Sequence, residues 1–286
     1  MTVIEPDYLR PRLLGRDNDT HKRNYGHLLI VAGCESMPGA AVLATGAALH
    51  SGCGLVTLHS TERALQATVN SYPSAMLSEE YEEHFCSIPD NIGKYAVIAV
   101  GPGLGRAAGT MNALMDLLTV ASSKGIPMVL DADALNILSY IPDWPDLIPN
   151  GSILTPHMGE LRRLLPGTTD ENRVEMALEL CVYGGCTLVM KGYHTRVFTT
   201  NGACLVNHTG GPGLAKAGSG DVLTGLIGGL LARGYAPEDA AALGVWLHGY
   251  AGDCLEAERS AEAFSSRDIV DCLWKGFSEL YCASGL

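Results

Sequence analysis

The sequence predicts an α/β fold, a three-layer α/β/α domain on a mostly parallel central sheet with some antiparallel strands toward the C-terminal half. Short aliphatic runs alternate with stretches of helical composition, the rhythm of a parallel sheet whose crossovers cover both faces. Hydrophobic residues make up 47% of the chain, yet aromatics only 6%, and 34 glycines accompany them, so the interior must be packed from aliphatic and alanine side chains around many tight turns. At 286 residues the chain can bury a large core, and no linker, repeat or low-complexity tract divides it, which predicts one domain over residues 1–286.

Taken in order, the strands read at residues 27–32, 54–59, 95–100, 127–130, 152–155 and 187–190. Helices fall between them at 38–51, 106–123 and 170–183, and Gly125 ends the second of these before Ile126 and Pro127 open the next strand. Right-handed crossovers join such units. Beyond Lys191 the pattern changes. Runs at 194–200 and 203–207 flank Asn201-Gly202, a dipeptide suited to a type I′ hairpin turn, so antiparallel pairing is expected there. The remainder reads as helices over 219–233, 237–256 and 266–280, the last capped by Ser265 or Ser266 with Asp268 in its first turn. Residues 36–61 contain no Asp, Glu, Lys or Arg and are long enough to raise a membrane span. Pro38, Gly39, Gly46, Gly52 and Gly54 punctuate the run, so a buried helix followed by a buried strand is expected instead.

Composition narrows the function classes. With 31 acidic against 19 basic residues the net charge is −12, which repels a phosphate backbone, and no nucleic-acid partner is expected. A small anion stays compatible, because a pocket of backbone N–H groups and one lysine acts within a screening length of roughly 8 Å. The nine cysteines are odd in number, scattered, and form no C-x-x-C pair, which predicts free thiols rather than a disulfide framework or a zinc site. No apolar leader precedes the first strand, so a cytoplasmic protein without a membrane partner is expected.

The strongest local signal is Leu214-Ala-Lys-Ala-Gly-Ser-Gly-Asp221, a loop of small residues running directly into an apolar helix. Successive N–H groups at a helix start, with Gly218 and Gly220 permitting close backbone approach, form a cradle for an oxyanion or phosphoryl group. Asp221 admits two readings on residue chemistry alone: a reactive group at the mouth of the cradle, or an ordinary partner of the helix dipole.

Gly218-Ser-Gly-Asp221-Val-Leu-Thr-Gly225 resembles the second signature of the ribokinase-like kinases. Six further segments stand in the order found in the NAD(P)H-hydrate dehydratases: Tyr25-Gly-His-Leu-Leu-Ile-Val-Ala-Gly33, Met37-Pro-Gly-Ala-Ala41, Ile98-Ala-Val-Gly-Pro-Gly-Leu-Gly105, Leu130-Asp-Ala-Asp133-Ala-Leu-Asn136, Leu154-Thr-Pro-His-Met-Gly-Glu160 and Lys191-Gly-Tyr-His-Thr195. The chain is therefore identified as similar to that family over about residues 25–235.

The resemblance implies a ribokinase-like fold and a nucleotide-repair lyase. Such an enzyme dehydrates NADHX or NADPHX to NADH or NADPH by phosphorylating the ring hydroxyl with ADP or ATP and eliminating phosphate. It implies Asp221 as the base that takes the hydroxyl proton, and Gly218, Ser219 and Gly220 as the anion hole. Gly39, Ala40, Gly103 and His157 join Asp221 around the hydrated nucleotide. Lys191, Gly192, Tyr193, His194 and Thr195, with Gly220 opposite, hold ADP or ATP. Glu160 resembles an acid that organises Mg2+ through water. On residue chemistry alone the alternatives stay open: Gly103 in a plain turn, His157 as a helix cap, Glu160 and Lys191 as solvated charges.

Three departures from the family pattern stand out: Met158 in place of proline, Gly211 in place of asparagine and Ala217 in place of glycine. The epimerase domain sometimes fused ahead of this domain has no room before Tyr25, so the dehydratase alone is expected. Relatives form tetramers, which implies a homo-oligomer. The competing readings are a ribokinase-like small-molecule kinase, which keeps its phosphorylated product, and a non-catalytic nucleotide-binding regulator.

Overall fold

Strand residues alternate between two cores, as a sheet covered on both faces requires. Along His27–Val31, Leu28 and Ile30 face one core while Leu29 and Val31 face the other. The structure, a computed structural model, describes residues 1–282. Its strands are β1 (Thr2–Ile4), β2 (His27–Val31), β3 (Leu55–Thr61), β4 (Met76–Glu80), β5 (Val97–Val100), β6 (Met128–Leu130), β7 (Ile153–Leu154), β8 (Thr187–Met190), β9 (Arg196–Phe198) and β10 (Cys204–Asn207). The helices are α1 (Pro6–Leu9), α2 (Pro38–Leu49), α3 (Glu62–Ser71), α4 (Ala108–Lys124), α5 (Ala132–Leu138), α6 (Met158–Leu164), α7 (Arg173–Gly184), α8 (Ser219–Arg233), α9 (Pro237–Arg259) and α10 (Ser266–Cys282).

One ten-stranded sheet runs β1-β10-β9-β8-β7-β6-β5-β2-β3-β4. Only β9 opposes its neighbours, pairing antiparallel with both β8 and β10, while the other pairings are parallel. Helices α2, α3, α8, α9 and α10 cover one face and α4 to α7 the other, giving the α/β/α layers. The charge-free run resolves into α2 and β3. No described helix is long and apolar enough to cross a membrane, and all nine cysteines are free.

Two corrections concern local structure. The hairpin turn at Asn201-Gly202 is not type I′, because only Gly202 has positive φ. Gly202 N–H donates to the Thr199 carbonyl and Thr199 N–H to that of Ala203, so the chain makes an ordinary turn closed by a left-handed glycine. Edge strands β1 and β4 lie outside the aliphatic runs. β4 reads Met-Leu-Ser-Glu-Glu with its side chains largely exposed, so the hydrophobic pattern that marks the central strands is missing.

Helix α8 carries the glycine loop at its start, and glycines set how closely it lies on α2. A Cβ at Gly225 would sit 1.9 Å from the Ala44 carbonyl oxygen, and one at Gly229 would sit 2.0 Å from Ser51 Oγ. Ala44, Ala47 and Ala48 supply the opposite wall. Backbones in contact along this seam of small residues leave no room for aromatic rings between the two helices.

Gly225→Ala should therefore lower stability by at least about 2 kcal/mol through overpacking against backbone. Gly39→Ala, where nothing lies within 4 Å of the added methyl, should stay within about 0.5 kcal/mol. Denaturant midpoints check both, and an unaffected Gly225→Ala would show that the seam is loose.

Candidate active site

The strand order reverses between β2 and β5, the place where open α/β sheets bind ligands at their C-terminal edge. The loops after these strands touch, with Gly33 N–H donating to the Pro102 carbonyl at 2.8 Å. Gly101, Gly103 and Gly105 all take positive φ. Gly101 is needed because a Cβ there would lie 1.8 Å from the Asp131 carbonyl oxygen. A Cβ on Gly103 would meet that of Ala40 at 2.8 Å, so the structure brings Gly103 and Ala40 together, with exposed Gly39 at the start of α2.

Moving outward along the same edge, β6 ends in Asp131, which is 1% exposed. Its Oδ1 accepts from Lys191 Nζ, at the end of β8, at 2.6 Å. Its Oδ2 accepts from Thr224 Oγ1, in α8, at 2.6 Å. Lys191 Nζ is also 3.9 Å from Glu160 Oε2. A carboxylate and an ammonium withdrawn from water persist when each has hydrogen-bonding partners, which is the arrangement here. Burial works to lower the Lys191 pKa, but Asp131 and Glu160 more than offset it, so the ammonium is held charged.

Gly218 caps α8 in the left-handed region at φ 87°, and a Cβ there would collide with Leu43. Gly220 leaves open the approach of Lys191, whose Nζ lies 3.4 Å from where a Cβ would stand. Asp221 follows in the first turn. Burial, with the charge of Asp131 adding to it, pushes its carboxyl up to about 6, while Lys191 pulls the other way. Asp133, the other acid in Leu130-Asp-Ala-Asp133, accepts from Gly105 N–H at 2.9 Å and so ties the glycine turn to α5.

A cavity of about 780 Å³ opens beside this network. Lys191, Gly192, Tyr193 and Thr195 form part of its wall, with Ser219 and Gly220 on another side and the 209–212 loop on a third. His157 also lines it, whereas Gly39, Ala40, Gly103 and Asp221 do not. His194 stands off the wall in a stack, 4.0 Å from the ring of Tyr193 and 4.5 Å from that of His208. His157 is a helix cap as well: its Nδ1 accepts from Gly159 N–H at 2.9 Å, and Glu160 closes the box by accepting from His157 N–H at 2.8 Å. Glu160 is thus a buried capping residue and not a solvated one.

The departures from pattern have physical reasons. A Cβ at Gly211 would lie 2.4 Å from Glu256 Oε2, so a carboxylate from α9 fills the space an asparagine would need. Glu256 accepts from Gly213 N–H and Asp253 from Gly210 N–H, which holds the loop by its backbone. Ala217 has no positive φ, so glycine is not demanded there. Met158 opens α6 at a position where the N–H is free of intrahelical partners, so proline has no unique advantage.

Sequence reasoning assigned no role to Asp131, Thr224 or His248. Asp131 had a signal, being an acid at the end of a buried strand. Thr224 and His248 enter only through contacts made by the folded chain.

The chain matches the family described as NAD(P)H-hydrate dehydratase over residues 28–275. It is 39% identical to the ADP-dependent (S)-NAD(P)H-hydrate dehydratase of Neisseria meningitidis, across 84% of this chain and 81% of that protein. Identity is 33% with the Bacillus subtilis protein of the same description, across 95% and 97%. The bifunctional NAD(P)H-hydrate repair enzyme of Moorella thermoacetica is 37% identical over 95% of this chain, which spans 53% of that protein's length. Among solved structures, the Bacillus subtilis ADP/ATP-dependent NAD(P)H-hydrate dehydratase co-crystallised with ATP/Mg2+ superposes with a TM-score of 0.83 at 30% identity, covering 98% of both chains. A hydroxyethylthiazole kinase from Pyrococcus horikoshii, at 13% identity and a TM-score of 0.61, shares the fold.

Asp221 should titrate near pH 6 by carbon-13 NMR of its carboxyl, and Asp131→Asn should bring the midpoint down. Because the folded-state value is raised, the stability linked to Asp221 is present at low pH and lost as pH rises through about 6. Asp221→Asn should therefore stabilise the protein at pH 8, by on the order of 2 kcal/mol, and leave it nearly unchanged at pH 4. An unmoved midpoint in Asp131→Asn would dissolve the coupling between the two acids.

Proposed function

This chain belongs to the NAD(P)H-hydrate dehydratase family, and we propose that it converts NADHX or NADPHX to NADH or NADPH at the expense of the terminal phosphate of ADP or ATP. The observation that carries the reading is the convergence of a glycine loop, a carboxylate of raised pKa and a half-buried ammonium at one end of α8.

Hydroxide is a poor leaving group, so direct loss of water from the hydrated ring is slow. Phosphorylation of the ring hydroxyl turns it into a phosphate ester, which the enamine nitrogen of the ring then expels. In this reading Asp221 accepts the hydroxyl proton, and the 218–220 loop holds the phosphoryl oxygens as charge shifts. A carboxylate near pKa 6 is ionised at neutral pH and more basic than an ordinary aspartate. Ala40 and Gly103, with Gly39, hold the hydrated nucleotide at the switch point, and the small residues there admit its close approach. Lys191, Gly192, Tyr193 and Thr195 hold ADP or ATP in the cavity, with His194 backing the Tyr193 ring. His157, which the resemblance assigns to the hydrated nucleotide, stands on the same wall as these residues.

Mg2+ fits this edge as a hydrated ion. Carboxylates are its preferred ligand type, yet no group of three or more metal-binding side chains forms a cage among the described residues. Glu160, with Oε2 engaged by His157 N–H, would hold it through water. Magnesium neutralises charge on the phosphates when bound.

One assay tests the reading: free phosphate and reduced-nicotinamide absorbance followed together in one cuvette, with NADHX and ADP or ATP, with and without a chelator. One phosphate should appear per nicotinamide restored, neither without the other and neither with chelator. The rate should fall below pH 6 as Asp221 is protonated, and Asp221→Asn should lose a hundredfold to ten-thousandfold. A stable phosphorylated product without absorbance change would make the protein a kinase, and the absence of any turnover would leave a nucleotide-binding regulator.

A further inference from the structure

His248 lies in α9, is 8% exposed and lines the cavity, and nothing in the mechanism above uses it. Its Nε2 is 3.0 Å from the Ser219 carbonyl oxygen and 3.1 Å from the Ser219 hydroxyl oxygen. A carbonyl oxygen only accepts, so Nε2 must carry a hydrogen. The hydroxyl, facing the same N–H, is then an acceptor. No other hydrogen bond of that hydroxyl occurs among the described residues, which leaves its own hydrogen free to point into the cavity that Ser219 lines. Burial pushes the His248 ring down to about 4, so it stays neutral at physiological pH and this polarity is constant.

We propose that His248 is a positioning residue that fixes the Ser219 hydroxyl as a donor, and that Ser219 Oγ–H binds an oxygen of the transferred phosphoryl group beside the backbone N–H groups of the loop. The proposal rests on the phosphoryl-transfer reading above. It explains a feature that reading leaves idle, a fully packed histidine aimed at the anion loop from an element about thirty residues downstream of it, and it separates Ser219 from its neighbours. Gly218 and Gly220 contribute backbone alone, whereas Ser219 adds a side-chain donor whose direction is set from behind. A neutral donor also suits the place: a charged imidazolium there would be costly to bury without an acid against it.

The test compares kcat and the nucleotide KM for Ser219→Ala, Ser219→Thr, His248→Phe, His248→Gln and the double variant Ser219→Ala/His248→Phe. Ser219→Ala and His248→Phe should each lower kcat roughly ten- to a hundredfold, the range for a hydrogen bond to an ionic acceptor, with a much smaller change in KM. Ser219→Thr, which keeps the hydroxyl, and His248→Gln, which keeps an N–H donor, should recover most of the loss. The double variant should be no slower than the slower single one, since His248 acts through Ser219. Multiplying effects, or a Ser219→Ala enzyme at the wild-type rate, would overturn the proposal. If Phe at 248 prevents folding, as a thermal melt would show, Ser219→Ala against Ser219→Thr decides, and equal rates for these two overturn it. A wild-type protein that fails to couple phosphate release to absorbance refutes the underlying reading instead.

Discussion

Asp131 is a charge with nowhere to go but its two partners. At the end of a central strand it is sealed from water, and Lys191 and Thr224 satisfy its two oxygens there, as a buried acid requires. Those bonds join the ends of β6 and β8 to the first turns of α8. Removing a partner from such a buried pair costs about 3–5 kcal/mol, because the remaining charge is stranded. The three elements that build the proposed phosphoryl site are therefore locked by the same group that shapes its electrostatics.

The lock requires that α8 lie close. Gly225 and Gly229 let its backbone approach α2, Gly220 leaves open the route of Lys191, and Gly101 lets the β5 turn rest on the Asp131 carbonyl. Close packing then sets Asp221 among other charges. It is half-buried near Asp131 and Asp133, which raises its pKa, and near Lys191, which limits the rise. An acid is disfavoured there in its charged form at neutral pH. The same placement raises its basicity, the property the proposed proton transfer needs, at a cost in stability.

Much of this was legible in the chain. The alternation of aliphatic runs with helices gave the central strands, since a strand buried on both faces must be hydrophobic along its length, and the small residues of Gly218-Ser-Gly-Asp221 marked the loop that opens α8. What stayed illegible was carried by distant partners. β1 is three residues long and exists through pairing with β10, and the exposed edge strand β4 lacks the apolar pattern. Asn201 offered a left-handed position that the longer turn did not use. Thr224 and His248 look like ordinary helix residues until the fold turns one toward Asp131 and the other toward Ser219. His157 read as a substrate contact or a helix cap and Glu160 as an acid that organises Mg2+ or a solvated charge, and their geometry is that of a capping box whose histidine also faces the cavity.

In the proposed reaction the ring hydroxyl itself receives the phosphoryl group before it leaves. Hydrated nicotinamide nucleotide labelled with oxygen-18 at that hydroxyl tests it directly, by mass spectrometry of the phosphate released in a single turnover. Phosphorylation followed by C–O cleavage predicts that the label appears in inorganic phosphate, one atom per molecule. Unlabelled phosphate, with the oxygen-18 recovered in water, would mean that the nucleotide is hydrolysed separately and that the site assembled around Asp131, Lys191 and Asp221 does not act as a phosphoryl-transfer centre.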